Sequence, residues 1–169
     1  MLKLALALAF CLAAADAQAR ASGIAQDGWS KLSAAQMHRL PQAVRLALHQ
    51  AQAGCGAEAI RVRNGFVTYL PIPDGQQLIT IHFEHVECDN GKLCAPAGCL
   101  HRVLFSSADG KVQRDIWRGN VREINTAFFA GNLLIEIDFS QGASICSRQL
   151  KWNGKSLQIS TSREAIRAR

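Results

Sequence analysis

The chain has 169 residues, and its 19 Lys and Arg against 13 Asp and Glu leave a net charge of +6. That length suits one domain able to bury its own core without depending on staples. The positive residues are scattered, through Arg39, Arg61, Arg102, Arg122 and Arg163, with no block of five or six like charges. They therefore read as a solvated surface with weak attraction for an anionic partner, not as a nucleic-acid face.

Residues 1–19, MLKLALALAFCLAAADAQA, have the make-up of a secretory signal peptide. Lys3 supplies the positive start, the apolar stretch 4–15 is too short to span a bilayer, and Ala17-Gln18-Ala19 offers small residues for cleavage before Arg20. Cys11 lacks a small residue before it, as a lipid-accepting cysteine requires, and is expected to leave with the signal. The mature product is then a single α+β domain over 20–169, exported to the periplasm or beyond, with no second apolar run of membrane-spanning length.

Residues 20–29 are small and polar. Ser33 and Gln36 have capping-box spacing. The spacing of Val44, Ala47, Leu48 and Ala51 predicts an amphipathic helix over about 41–53, opened by Pro41 at its first position and stopped by Gly54. From 60 to 160 the pattern becomes β-rich. Strands are predicted at 60–63, 66–70, 78–87, 100–106, 112–117, 133–139, 145–152 and 156–160. Asn153-Gly154 reads as a two-residue hairpin turn, and Asp109-Gly110 and Gly131-Asn132 as further turns. Successive hairpins with one helix imply a disulfide-braced antiparallel meander with the N-terminal helix packed on it.

The stretches LPQAVRLALHQAQAGC, CAPAGCLHRVLF and CSRQLKWNGKSL follow one another in an order that resembles small exported proteins of unknown function found mainly in alphaproteobacteria. The resemblance spans 40–157 and rests on a helix ending in cysteine, a C-x4-C loop and a late W-N-G hairpin. It implies no activity. The Asp/Gly-rich segment of that group is reduced here to PIPDGQQLI, whose one carboxylate, Asp74, leaves a calcium loop short of ligands.

Most of the reactive side chains fall in one run, HFEHVECDNGKLCAPAGCLH, residues 82–101. An oxidising destination favours disulfides among Cys55, Cys88, Cys94, Cys99 and Cys146. A local Cys94–Cys99 bridge closes the small-residue loop, and Cys55, Cys88 and Cys146 compete for a second; five is odd, so one stays out. A metal site is the alternative, from the subset His82, Cys88 and His101 or within a wider centre including Glu84 and Cys99. Alternation along a strand 78–87 puts His82 and His85 on opposite faces, which argues against their sharing an ion. No C-x-x-C, G-x-S-x-G, H-E-x-x-H or P-loop is present. Glu136 and Asp138 read as the polar face of a strand, and Trp117 and Trp152 as core or rim aromatics.

The leading expectation is therefore a non-enzymatic periplasmic accessory or binding protein, with no catalytic residues and no cofactor. Its partner would be an envelope protein, a glycan or an anionic surface. A metal-binding protein or metalloenzyme, or an inhibitor of an envelope-attacking hydrolase, are the competing classes.

Overall fold

A computed structural model describes residues 28–56, 59–88, 92–129, 131–141, 144–154 and 156–160. The predicted signal peptide, Cys11 and the start at Arg20 lie outside the described residues. The fold is α+β, mostly antiparallel sheet with two α-helices among the described residues.

Strand β1 (Ser30–Lys31) pairs with β2 (Arg61–Val62), and Arg63 lies 4.2 Å over the ring of Trp29 beside them. Ser33 caps α1 (Ala34–Arg39) with the reciprocal bonds of a capping box: Gln36 N–H donates to Ser33 Oγ, and Ser33 N–H to Gln36 Oε1. Helix α2 spans Gln42–Cys55, shifted from the expected 41–53 at both ends. Pro41 stays extended (ψ 146°), so it precedes the helix as its cap. The stop is Gly56, left-handed at φ 68°, while Gly54 continues the helix. The predicted stripe Val44, Ala47, Leu48 and Ala51 is the buried face.

A five-stranded sheet contains β3 (Val67–Pro71), β4 (Gln77–His82), β5 (Cys94–Ala95), β6 (Gly98–Ser106) and β7 (Gln113–Val121). Its centre is β6, with β7 on one side; on the other β4 pairs residues 101–106 and β5 pairs 98–99. Gly98 makes this junction possible: at φ 132°, a Cβ there would sit 2.1 Å from the Val121 carbonyl. A four-stranded sheet follows, from β8 (Glu123–Phe129), β9 (Asn132–Gln141), β10 (Ser144–Trp152) and β11 (Leu157–Ile159), in the order 11-10-9-8.

Alternation along β4 and β6 splits the core in two. Ile79, Ile81 and Leu104 point to α2 and pack with Val44, Leu48 and Phe83. Leu78 and Val103 point the other way, onto Ile124, Leu133, Ile135 and Trp152 around the second sheet. The layers are thus helix, sheet, sheet: the helix packs on an antiparallel sheet, as expected, and a second antiparallel sheet covers the other face. Strand β8, absent from the predicted strands, alternates Glu123, Asn125 and Ala127 with Ile124, Thr126 and Phe128.

Two local expectations are corrected. The strand predicted over 78–87 ends at His82, and Phe83–His85 form a 3₁₀ turn whose Phe83 is buried. The Asn153-Gly154 hairpin is longer than two residues, because Trp152 pairs with Leu157. Only Gly154 of the two takes a positive φ, and Asn153 Oδ1 accepts from Ser156 N–H.

Two disulfides brace the fold. Cys55–Cys88 ties the end of α2 to the segment after the 3₁₀ turn, and Cys94–Cys99 links β5 to β6. The helix-to-sheet bridge therefore takes Cys88 as its partner, and Cys146 on β10 belongs to neither bridge. Both bridges fit an oxidising, extracytoplasmic setting. No described helix is long and apolar enough to cross a membrane.

Candidate functional site

The register of β4 against β6 sets His82 directly opposite His101. Directly opposed residues of an antiparallel pair point to the same face, here the one toward the second sheet. The rings meet edge-on with centroids 5.3 Å apart. Because β4 gives way to the 3₁₀ turn at this point, Glu84 swings back over the pair. Its Oε2 comes within 2.9 Å of His101 Nε2, and its Oε1 lies 3.5 Å from His85 Nε2. One ligand atom from each of His82, Glu84 and His101 lies within 4.8 Å of the others. His85, expected on the far side of a strand, instead sits 6.3 Å from His82 between ring centroids.

His101 is fully buried, and among the described residues neither of its ring nitrogens makes a hydrogen bond, although Glu84 Oε2 lies 2.9 Å from its Nε2. Leaving a buried polar group unsatisfied costs about 1–3 kcal/mol. His82 keeps one partner, Thr68 Oγ1, 3.2 Å from its Nε2.

Burial dominates the protonation of all four groups. It pushes His101 down to about 3, helped by the neighbouring His82 and His85, and His82 down to about 4, helped by His85. Burial also lowers His85, with Arg63 adding to the effect. Glu84 is pushed up to about 7, by burial first and the Glu123 carboxylate second. The cluster at neutral pH is therefore uncharged imidazoles beside a carboxyl on the edge of ionising. Neutral imidazole with a lone pair free to donate is the form that binds metal.

Two imidazoles and one carboxylate form a donor set suited to borderline transition ions such as zinc, and ill suited to calcium or magnesium, which want oxygen. Zinc with bonds of about 2.0–2.1 Å holds tetrahedral ligand atoms about 3.3 Å apart. The present triangle closes on such an ion with at most about 1.5 Å of contraction. His85, facing the second oxygen of Glu84, occupies the place of an outer-shell partner that orients a ligating carboxylate.

Of the residues singled out in the sequence, the structure brings together His82, Glu84 and His101. It removes Cys88 from the expected His82–Cys88–His101 subset, because the Cys88 sulfur is bonded to Cys55. Cys99 is likewise consumed by Cys94. Glu136 and Asp138 line the polar side of β9, where Asp138 accepts a bond from Ser147 Oγ. Trp152 is a core aromatic beneath the Arg114 guanidinium. No protein-family model, curated protein or solved structure matches this chain.

Proposed function

We propose that this is an exported, non-enzymatic metal-binding protein that takes one divalent transition ion on His82, Glu84 and His101. A single observation carries the reading: a wholly buried imidazole, with neither nitrogen hydrogen-bonded among the described residues, sits in register with a second imidazole and against a carboxylate. An ion would accept the lone pair and repay the cost of burying an unsatisfied ring. The sequence of residues 1–19 and the two disulfides support a periplasmic or secreted setting, in which the protein would hold or hand on its ion to an envelope partner.

The test is calorimetric titration of the oxidised protein with zinc, cobalt(II), magnesium and calcium. Zinc and cobalt should bind one to one, cobalt with the intense visible bands of a four- or five-coordinate site, and magnesium and calcium should not. Glu84→Gln and His82→Ala should each weaken zinc by at least about 100-fold, beyond the 10–100-fold typical of outer-shell partners. Equal zinc affinity in wild type and both variants would end the proposal.

A further inference from the structure

A separate feature shares no residue with the histidine cluster. Helix α1, residues 45–52 of α2, β1 and the segment before β2 line an open groove of about 430 Å³. That volume lies within the range of about 300–1,000 Å³ usual for small-molecule clefts. Its floor is apolar: Ile60 is buried, and Leu32 and Met37 are half-buried against the helix-side core. Its rim carries Lys31, Arg45, His38 and His49, and no carboxylate is among the described lining residues.

Arg45 is the fixed member of that rim. Its Nη1 donates to the carbonyls of His38, at 3.1 Å, and Leu40, at 2.7 Å, at the junction of the two helices. A guanidinium anchored by one nitrogen keeps its planar fork oriented, so less entropy is lost when a carboxylate arrives. Lys31 is an exposed charge near the same opening.

We infer that this groove binds a small amphipathic carboxylate, a medium-chain alkyl carboxylate in form, with its chain over Leu32, Met37 and Ile60 and its head against Arg45. Charge complementarity selects the sign of the ligand. One anchored cation beside an apolar floor matches one anionic head on an apolar body, whereas an acidic peptide would set several charges against that apolar floor.

The probe is decanoate below its micellar concentration, titrated into the folded oxidised protein by calorimetry. Binding should be one to one, and decanol should bind at least about tenfold more weakly, the worth of one charge-assisted contact. Arg45→Gln should reduce decanoate affinity by a similar factor. Because Arg45 also ties the helices together, Met37→Asp is the second variant. It leaves those carbonyl contacts in place, sets a negative charge on the floor, and should abolish decanoate binding with an unchanged far-ultraviolet circular dichroism spectrum. Equal affinity for decanol and decanoate, unaltered decanoate binding by Met37→Asp, or tighter binding of a Glu-rich peptide would each overturn the inference.

Discussion

His101 and Arg102 are neighbours on β6 that point to opposite faces of the five-stranded sheet, and the two faces treat their polar residues differently. Arg102, on the helix side and only 13% exposed, has a partner at each nitrogen: its Nε and Nη2 reach both oxygens of Asp115, at 3.2 and 2.5 Å, and Nη1 reaches Gln50 on α2. His101, on the side facing the second sheet, is more deeply buried and makes no hydrogen bond at either nitrogen among the described residues. A polar group kept for architecture is supplied with partners by the same fold that buries it. The helix side behaves that way, and the His82–His101 end of the other side does not, which is why the site is placed there.

The largest expected effect tests how far the helix side is held covalently. Closing the 33-residue separation of Cys55–Cys88 is worth about 3–4 kcal/mol in the chain-entropy account, against about 2 kcal/mol for the separation of 5 in Cys94–Cys99. Cys55→Ser with Cys88→Ser should lower urea-unfolding stability by about that larger amount, and the Cys94→Ser, Cys99→Ser pair by the smaller. Equal losses would mean that the helix is fastened by packing and not by its bridge.

Arg102→Leu comes next. It strands Asp115 without its fork of donors and should cost about 1–2 kcal/mol, less than for a fully buried pair because Asp115 stays open to water. His101→Leu, one residue away and more buried, should do the reverse in metal-free protein. Exchanging an unsatisfied ring for an apolar side chain of similar bulk should be neutral or stabilise by up to about 1 kcal/mol. Chemical denaturation of the two variants side by side measures the contrast. A loss above about 2 kcal/mol for His101→Leu would make that histidine architectural and erase the difference between the faces.

Much of the scaffold was legible in the residues. The Val44–Ala47–Leu48–Ala51 stripe is buried as its spacing demands, Ser33 and Gln36 cap a real helix, and Cys94–Cys99 closes its loop. The site was legible in its ingredients and not in its assembly. Strand periodicity continued through Phe83 and His85 predicts two histidines facing apart, and nothing in HFEHVEC marks the point at which alternation fails. That point is fixed by tertiary packing, with Phe83 driven into the helix-side core and β5 taking over from β4 beside β6. Nor does local spacing reveal that His82 lies opposite His101, a register contact across a long loop. Cys88 looked like a ligand because its true partner, Cys55, is distant in sequence.

The last contrast lies in the pH dependence of stability. Between about 6.5 and 4.5 the unfolded chain protonates its imidazoles, while folded His82 and His101 refuse protons until about 4 and 3; His85, also lowered, acts in the same sense. Folding is therefore penalised as pH falls through that window. Glu84 acts oppositely. Held at about 7 in the fold against 4.5 in a free chain, it binds its proton in the native state first, and its contribution to stability declines as pH rises from 4.5 to 7. Two refused imidazole protons against one retained carboxyl proton leave His82, His101 and Glu84 contributing about one net proton, or about 1.4 kcal/mol per pH unit, favouring the fold as pH rises. His101→Leu removes one refusing group, so its stability profile from pH 4.5 to 6.5 should be shallower than that of wild type by about that slope. Arg102→Leu, which alters no imidazole, should run parallel to wild type. If both variants run parallel, the burial of His101 has no protonic consequence, and the two faces of the sheet differ less than their hydrogen bonds imply.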